Sequence, residues 1–334
     1  MPKTIAVLAG FPDINLNSSG YDGWTGFEPL PGCTQDLKNM RKLLEGYKFD
    51  QLYILSGRNL GTAQYIIKTL EYQTSLLKAG DLFVFYFTGH GVQAPHPERI
   101  EKDGFDDAIC CYDRPLLDLE LGNVWAKVGF GVRIVMMSDS CHSGTNAAIL
   151  SKIENMRTDF MKSMSITASS SSSTYPRITS VNIKAMLIHY GACEDRDTSA
   201  AYDTGSPFTD AIYELCQEGK FPGNYPALCQ AIIKKTQERG LPQIAQYNEL
   251  GPRTSLEFNA FRNQKPFTIG FPRELLHTTH KEEHNLESKD RNQLYVPFYS
   301  SSEENKKPEN TTREERKIVK ESSSTSHIPF RAKL

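Results

Sequence analysis

The chain has 334 residues, of which 39% are hydrophobic and 23% are charged, and its formal net charge is -2. This composition supplies enough apolar residues for a sizeable core and excludes a globally disordered chain. The near-zero charge argues against binding nucleic acid through an excess of positive charge. The longest apolar run, Leu82–Phe87, has six residues, whereas crossing a bilayer takes roughly 20. We therefore expect neither a nucleic acid nor a membrane as a partner.

Cysteine usage points to a reducing compartment. The seven cysteines are spread along the chain and form no C-x-x-C pair, which disfavours a disulfide scaffold or a zinc finger. The sequence starts without the charged and then apolar pattern of a secretory leader. We therefore expect a cytoplasmic protein with reduced thiols, in which a cysteine placed beside a histidine is a candidate nucleophile.

Short β-branched and aromatic runs alternate with segments of helical periodicity along the chain. Strands are predicted at Ile5–Leu8, Gln51–Leu55, Leu82–Thr88, Arg133–Met137 and Ala185–Tyr190, with Phe267–Ile269 as a candidate last strand. Helices are predicted at Leu37–Tyr47, from an N-cap at Thr62 to Leu77, and at Phe208–Cys216 and Pro226–Thr236. This alternation predicts an α/β fold with a mainly parallel sheet of about six strands, covered on both faces.

The composition changes at two places. Residues 151–180 are polar and contain five consecutive serines, Ser169–Ser173, which predicts a flexible serine-rich loop inside the domain. Residues 273–334 are rich in Glu, Lys, Asn and Ser and predict a disordered tail. We therefore expect one domain over residues 1–272, interrupted by the loop and followed by the tail.

Two chemically distinctive residues follow neighbouring predicted strands. His90 lies between two glycines after the third strand, and Cys141 comes 51 residues later, after the fourth. Ligands of open parallel sheets bind beyond the carboxyl ends of the strands, so the two side chains are expected to share a cleft. Taken alone, either one has an ordinary explanation, as a turn histidine or a buried cysteine. Together they predict a Cys-His dyad, with the backbone amides of Gly91 and Cys141 as oxyanion donors.

The motifs around this pair resemble those of metacaspases, within the caspase family of cysteine peptidases. The matching segments are Phe87–Gly91 and Asp139–Gly144, supported by Gly32–Asp36, Asp103–Asp107 and Gly191–Asp195. The resemblance implies a caspase-like αβα sandwich and a cysteine endopeptidase, in which Cys141 attacks and His90 acts as base and then as acid. Because metacaspase-like chains are often monomers, the resemblance also implies a monomer.

The resemblance assigns the S1 pocket, which holds the residue before the scissile bond, to Cys33, Asp36, Thr88 and Asp139. Two carboxylates without an arginine favour a cationic side chain. The expected substrate is therefore a protein or peptide that is cut after Arg or Lys. The alternative for Asp36 is an acid in the first turn of a helix, where it is favourable to the helix dipole.

Many metacaspases use calcium, and the resemblance implies positions Asp106, Asp118, Leu119 and Ala148 for it. Because calcium takes several oxygen ligands and only two of these residues have a carboxylate, no cofactor is expected. Asp106 and Asp118 stay as weak calcium candidates.

Two other functions remain open. One is a non-catalytic caspase-like scaffold that binds partners, and the other is a protease whose tail directs it to a partner or to export. Within or beside the loop, Lys152, Arg157, Lys162 and Arg177 are conceivable sites of self-cleavage, with a flexible linker as the alternative.

Overall fold

A computed structural model of the protein describes residues 2–22, 24, 27–95, 105–140, 182–192, 204–241, 244–272 and 274–275. The strands within these ranges are β1 Thr4–Gly10, β2 Gln51–Leu55, β3 Leu82–Thr88, β4 Gly91–Pro95, β5 Phe105–Cys110, β6 Pro115–Leu117, β7 Arg133–Asp139, β8 Met186–Gly191 and β9 Gln246–Leu250. The helices within them are α1 Cys33–Gly46, α2 Gly57–Leu60, α3 Ala63–Ser75, α4 Asp118–Ala126, α5 Pro207–Cys216, α6 Tyr225–Glu238 and α7 Leu256–Arg262.

Six strands form the central sheet, in the order β2-β1-β3-β7-β8-β9. The first five run parallel, and β9 runs antiparallel to β8 at the edge. Every residue of β1, β3 and β7 is buried, because one core cluster packs against α1, α5 and α6 and the other against α3 and α4. The predicted α/β sandwich with a mainly parallel six-stranded sheet is therefore confirmed.

A smaller antiparallel sheet, β4-β5-β6, extends the chain beyond β3. It starts at Gly91, directly after His90, and its last strand leads into α4. Two polar residues cap helices, and the N-cap predicted at Thr62 is confirmed. The hydroxyl of Thr62 accepts from the amide of Tyr65 at 3.3 Å to cap α3, and Ser206 caps α5 in the same way.

The prediction of a last strand at Phe267–Ile269 is wrong. The sixth strand is β9, whose residues are mostly half-buried at the sheet edge and lack the apolar run that marks a central strand. Phe267 is fully buried but has a φ of 60°, a left-handed backbone conformation that cannot continue a strand. The apolar side chains in this segment therefore fill the core without joining the sheet.

Arg133, the first residue of β7, is fully buried and fastens the segment around Phe267 to the sheet. Its guanidinium donates to the carbonyl oxygens of Gly80 at 2.8 Å and Ile269 at 2.7 Å. The ring of Phe271 lies 5.0 Å from the guanidinium carbon. Burial lowers the pKa of Arg133 to about 10, so the side chain stays charged near neutral pH.

Several predictions concern residues outside the described ranges: Cys141, the loop at residues 151–180, and nearly all of the tail from residue 273. Within the part of the chain that the structure describes, no helix combines the length and apolar character needed to cross a bilayer. The described free cysteines are Cys33, Cys110, Cys111, Cys216 and Cys229, and all are buried.

Candidate active site

The carboxyl ends of three neighbouring strands form one rim. Thr88 at the end of β3 lies beside Asp139 at the end of β7, and Ser138 lies beside Gly191 at the end of β8. The predicted dyad residues follow these ends, since His90 and Cys141 each come two positions after the paired Thr88 and Asp139. The side chain of Cys141 lies outside the described residues, so its role stays a prediction.

His90 is held by the chain that leads from β1 to α1. Its Nε2 lies 2.7 Å from the carbonyl oxygen of Glu28, and its ring packs edge-on against Phe27, with the ring centres 5.1 Å apart. A carbonyl oxygen can only accept, so Nε2 carries the proton in this contact. The neutral imidazole then has its lone pair on Nδ1, the atom available to take a proton from a thiol.

Burial lowers the pKa of His90 below its usual value of 6.5, and the bond to the Glu28 carbonyl opposes part of that shift. The imidazole is therefore neutral at physiological pH, as a general base must be. Gly89 precedes it with a φ of 154°, and a side chain there would approach the Phe87 ring to 3.0 Å. The glycine before His90 thus allows the close turn that brings the histidine to the rim.

Gly91 was predicted as an oxyanion donor, and its ladder position leaves its amide available. The amide of Cys110 donates to the carbonyl of His90 at 2.8 Å, while Gly91 pairs with Ile109 in the antiparallel register. Hydrogen-bonded pairs alternate along such a ladder, so the N–H of Gly91 points away from β5. The amide of Cys141, the second predicted donor, lies outside the described residues.

The four predicted S1 residues lie together under this rim, and all are buried: Cys33, Asp36, Thr88 and Asp139. Thr88 Oγ1 donates to Asp36 Oδ2 at 3.1 Å, which joins the end of β3 to the first turn of α1. Asp36 does lie in that first turn, but its side chain points into the protein and accepts hydrogen bonds there. The helix-dipole explanation alone therefore does not account for its position.

The two carboxylates are close enough to influence each other. Burial raises the pKa of Asp36 from 3.8 to about 8, and the charge of Asp139 adds to the rise. Two acids that share a buried site resist ionising together. Burial also raises the pKa of the Cys33 thiol to about 12, so Cys33 is a neutral neighbour of the two acids.

Sequence reasoning missed two residues of this site, Ser206 and Thr209 at the start of α5. The amide of Ser206 donates to Asp36 Oδ1 at 2.8 Å, and its hydroxyl bonds Asp139 Oδ2. Thr209 Oγ1 bonds the same oxygen at 2.5 Å. The Ser206-Pro207 pair signals a helix start, but no local pattern shows that this start touches two acids so far away in the chain.

The two weak calcium candidates, Asp106 and Asp118, stay predictions. Asp118 is buried at the first position of α4, and the side chain of Asp106 on β5 is outside the described residues. In the described part of the chain, no group of three or more His, Cys, Asp or Glu side chains is arranged to hold a metal ion.

Comparisons with known proteins agree with this geometry. Residues 14–149 match the metacaspase, peptidase C14 domain. Metacaspase-1 of Mycosarcoma maydis is 30% identical over 144 residues, covering 40% of this chain and 35% of the relative. Metacaspase-7 of Arabidopsis thaliana is 34% identical over 134 residues, covering 37% and 32%. The chain thus spans about a third of the length of the curated relatives that it matches.

Among solved structures, a protein of Geobacter sulfurreducens shares the fold, with a TM-score of 0.57 and 24% identity over 80% of this chain and 99% of that one. The sheet order and the rim define an α/β protein with its candidate site at the carboxyl ends of β3 and β7, the ends that the matched segment contains. Similarity to metacaspases, which belong to the peptidase C14 family, is thus shown for residues 14–149 of the chain.

Proposed function

We propose that the protein is a cysteine endopeptidase that cuts proteins after Arg or Lys. The observation that carries the proposal is the fixed orientation of His90, whose Nε2 donates to the Glu28 carbonyl beside a pocket with two buried acids. This leaves Nδ1 of His90 as the proton acceptor. His90 comes two residues after Thr88, and Cys141 comes two residues after Asp139, the residue paired with Thr88 in the sheet.

The reaction follows from these roles. His90 Nδ1 takes the proton of the Cys141 thiol, and the sulfur attacks the scissile carbonyl carbon. The carbonyl oxygen becomes an oxyanion near the amides of Gly91 and Cys141. His90 then gives the proton to the leaving amine, the C–N bond breaks and a thioester remains. Water, deprotonated by His90, hydrolyses the thioester and restores the thiol.

The preference for a basic residue rests on charge and burial. Asp36 and Asp139 are both buried, so a guanidinium or ammonium group between them meets little screening from water. An acidic residue in the same place would bring a second negative charge beside the ionised acid and be repelled. We propose that the enzyme acts as a cytoplasmic monomer without a cofactor; the buried free thiols in the described residues suit a reducing compartment.

The test compares wild type with Cys141→Ala and His90→Gln on fluorogenic peptides that end in Arg, Lys or Asp. Each is assayed with calcium and with a chelator. The proposal expects cleavage after Arg or Lys that both variants lose, whether or not calcium is present. Cleavage after Asp would refute the pocket assignment and keep the dyad. If wild type binds the peptides and cuts none, the scaffold alternative is favoured.

A further inference from the structure

The start of α5 joins the two S1 acids into one hydrogen-bonded unit. Ser206 contacts both, because its amide donates to Asp36 Oδ1 at 2.8 Å and its hydroxyl bonds Asp139 Oδ2. The same hydroxyl accepts from the amide of Thr209 at 3.1 Å, the N-cap bond of the helix. Ser206 is thus both the first cap of α5 and the bridge between the two carboxylates.

A second hydroxyl chain reaches Asp139 from the core. Thr209 Oγ1 lies 2.5 Å from Asp139 Oδ2 and 2.6 Å from the hydroxyl of Tyr86, and both Thr209 and Tyr86 are fully buried. An ionised carboxylate can only accept, so Ser206 and Thr209 both donate to Asp139. Each hydroxyl has one proton, so Tyr86 in turn donates to Thr209. All donors therefore point toward the negative charge.

The backbone before Ser206 also fits closely against Asp36. Gly205 has a φ of 123°, and a Cβ atom there would lie 2.8 Å from Asp36 Oδ1. A side chain at this position would displace the carboxylate, so only glycine allows the Ser206 amide to reach it. The approach of the helix start to the pocket is thus close at both Gly205 and Ser206.

We infer that Ser206 and Thr209 are positioning residues that set the charge and spacing of the two S1 acids and so determine the preference for a cationic side chain. The inference deepens the proposed function and rests on it. Hydrogen bonds to the ionised form of an acid favour that form, and bonds to ionised groups are stronger than neutral ones. Without these donors, the two acids would hold a proton more firmly and attract a cation less.

The experiment measures binding in a Cys141→Ala background, which cannot cleave. Two matched peptide amides are used, one ending in Arg and the other in citrulline, its uncharged analogue. Ser206→Ala and Thr209→Val are expected to weaken binding of the Arg peptide about tenfold and to leave the citrulline peptide within about twofold. Ser206→Gly removes the same hydroxyl at a position where glycine is accepted as a cap, so it serves if Ser206→Ala fails to fold.

Two variants serve as controls. Thr209→Ser keeps the hydroxyl and should retain the preference for Arg. Ser255→Ala removes an equivalent cap, since Ser255 accepts from the amide of Phe258 at 3.0 Å at the start of α7, and it should change neither peptide's binding. In the active enzyme, Ser206→Gly and Thr209→Val should raise KM for Arg peptides and leave kcat within about twofold. This is the result expected when a variant weakens binding of the substrate and of the transition state equally.

The outcomes separate the two proposals. If the parent protein prefers Arg over citrulline and the Ser206 and Thr209 variants keep that preference, the role of these residues is refuted while the acidic pocket stands. If the parent protein shows no preference for Arg, both the pocket and its positioning residues are refuted. If the variants bind the Arg and citrulline peptides more weakly by the same factor, the two residues have a purely structural role and the inference is also overturned.

Discussion

Replacing Asp36 with Asn is expected to stabilise the folded protein while it damages the S1 pocket. The pKa of Asp36 is raised from 3.8 to about 8 in the fold, first by burial and then by the charge of Asp139. Between these two values the folded protein binds more protons than the unfolded chain. The stability associated with Asp36 therefore falls as pH rises through this window, the reverse of a salt-bridged acid.

The size of the effect follows from the shift. The rise from 3.8 to about 8 corresponds to about 6 kcal/mol of unfavourable free energy above pH 8, at about 1.36 kcal/mol per pKa unit. Asparagine is a neutral isostere, but it presents an NH₂ group where the carboxylate accepts from Thr88 or from the Ser206 amide. A mismatched buried hydrogen bond costs about 1–3 kcal/mol, so the net gain is roughly 3–5 kcal/mol.

Urea unfolding of wild type and Asp36→Asn at pH 8.5 and pH 4.5 measures this gain. Most of the gain in unfolding free energy should be absent at pH 4.5, which is close to the ordinary pKa of Asp36, 3.8. Asp50→Asn is a matched control, because Asp50 accepts from the amide and hydroxyl of Thr4 but is exposed, and it should not stabilise. A gain that is equal at both pH values, or a loss at pH 8.5, would refute the reasoning. Cleavage after Arg should fall at least about tenfold in Asp36→Asn.

Three further effects are expected. A cationic side chain bound in the S1 pocket favours the ionised form of Asp36. In steady-state kinetics, KM for Arg peptides should therefore fall as pH rises from about 7 to 9, while KM for citrulline peptides stays constant. Arg133→Met should lower the free energy of unfolding by about 3 kcal/mol, because it leaves the carbonyl oxygens that Arg133 binds without a donor. Arg253→Ala is the control: Arg253 is exposed, and its loss should change the free energy of unfolding by less than about 0.5 kcal/mol. Burial lowers the pKa of His189 to about 3, so stability should fall as pH drops from about 6.5 toward 3, by up to roughly 5 kcal/mol. An acid titration in which His189→Gln shows the same loss as wild type would contradict this last expectation.

Local pattern was sufficient for the central sheet. The predicted strands at residues 5–8, 51–55, 82–88, 133–137 and 185–190 each overlap an observed parallel strand. Four of these strands are buried throughout and are largely apolar, and the edge strand β2 has the apolar run Leu52–Leu55. The N-cap at Thr62 was predicted from one side chain and its neighbours. The edge strand β9 was missed because its sequence, Gln-Tyr-Asn-Glu-Leu, is mostly polar and has no apolar run.

In the candidate site, too, the residue types could be predicted from the sequence, whereas the contacts between them could not. A glycine-flanked histidine after one strand and a cysteine after another are visible in the sequence, as are the acids Asp36 and Asp139. That Glu28 orients His90 across 62 positions, and that Ser206 bridges acids 170 and 67 positions away, appears only in the structure.

The physical reason lies in the strand order. Periodicity records whether a side chain faces the core, and this depends on residues within a few positions. The order β1-β3-β7 and the packing of α5 against α1 depend on how all the buried surfaces of the domain pack together. Local sequence was sufficient to predict the parallel strands, the N-cap at Thr62 and the residue types that follow the strand ends. The tertiary structure alone decided which of those ends meet, and so placed the donors that hold the two acids.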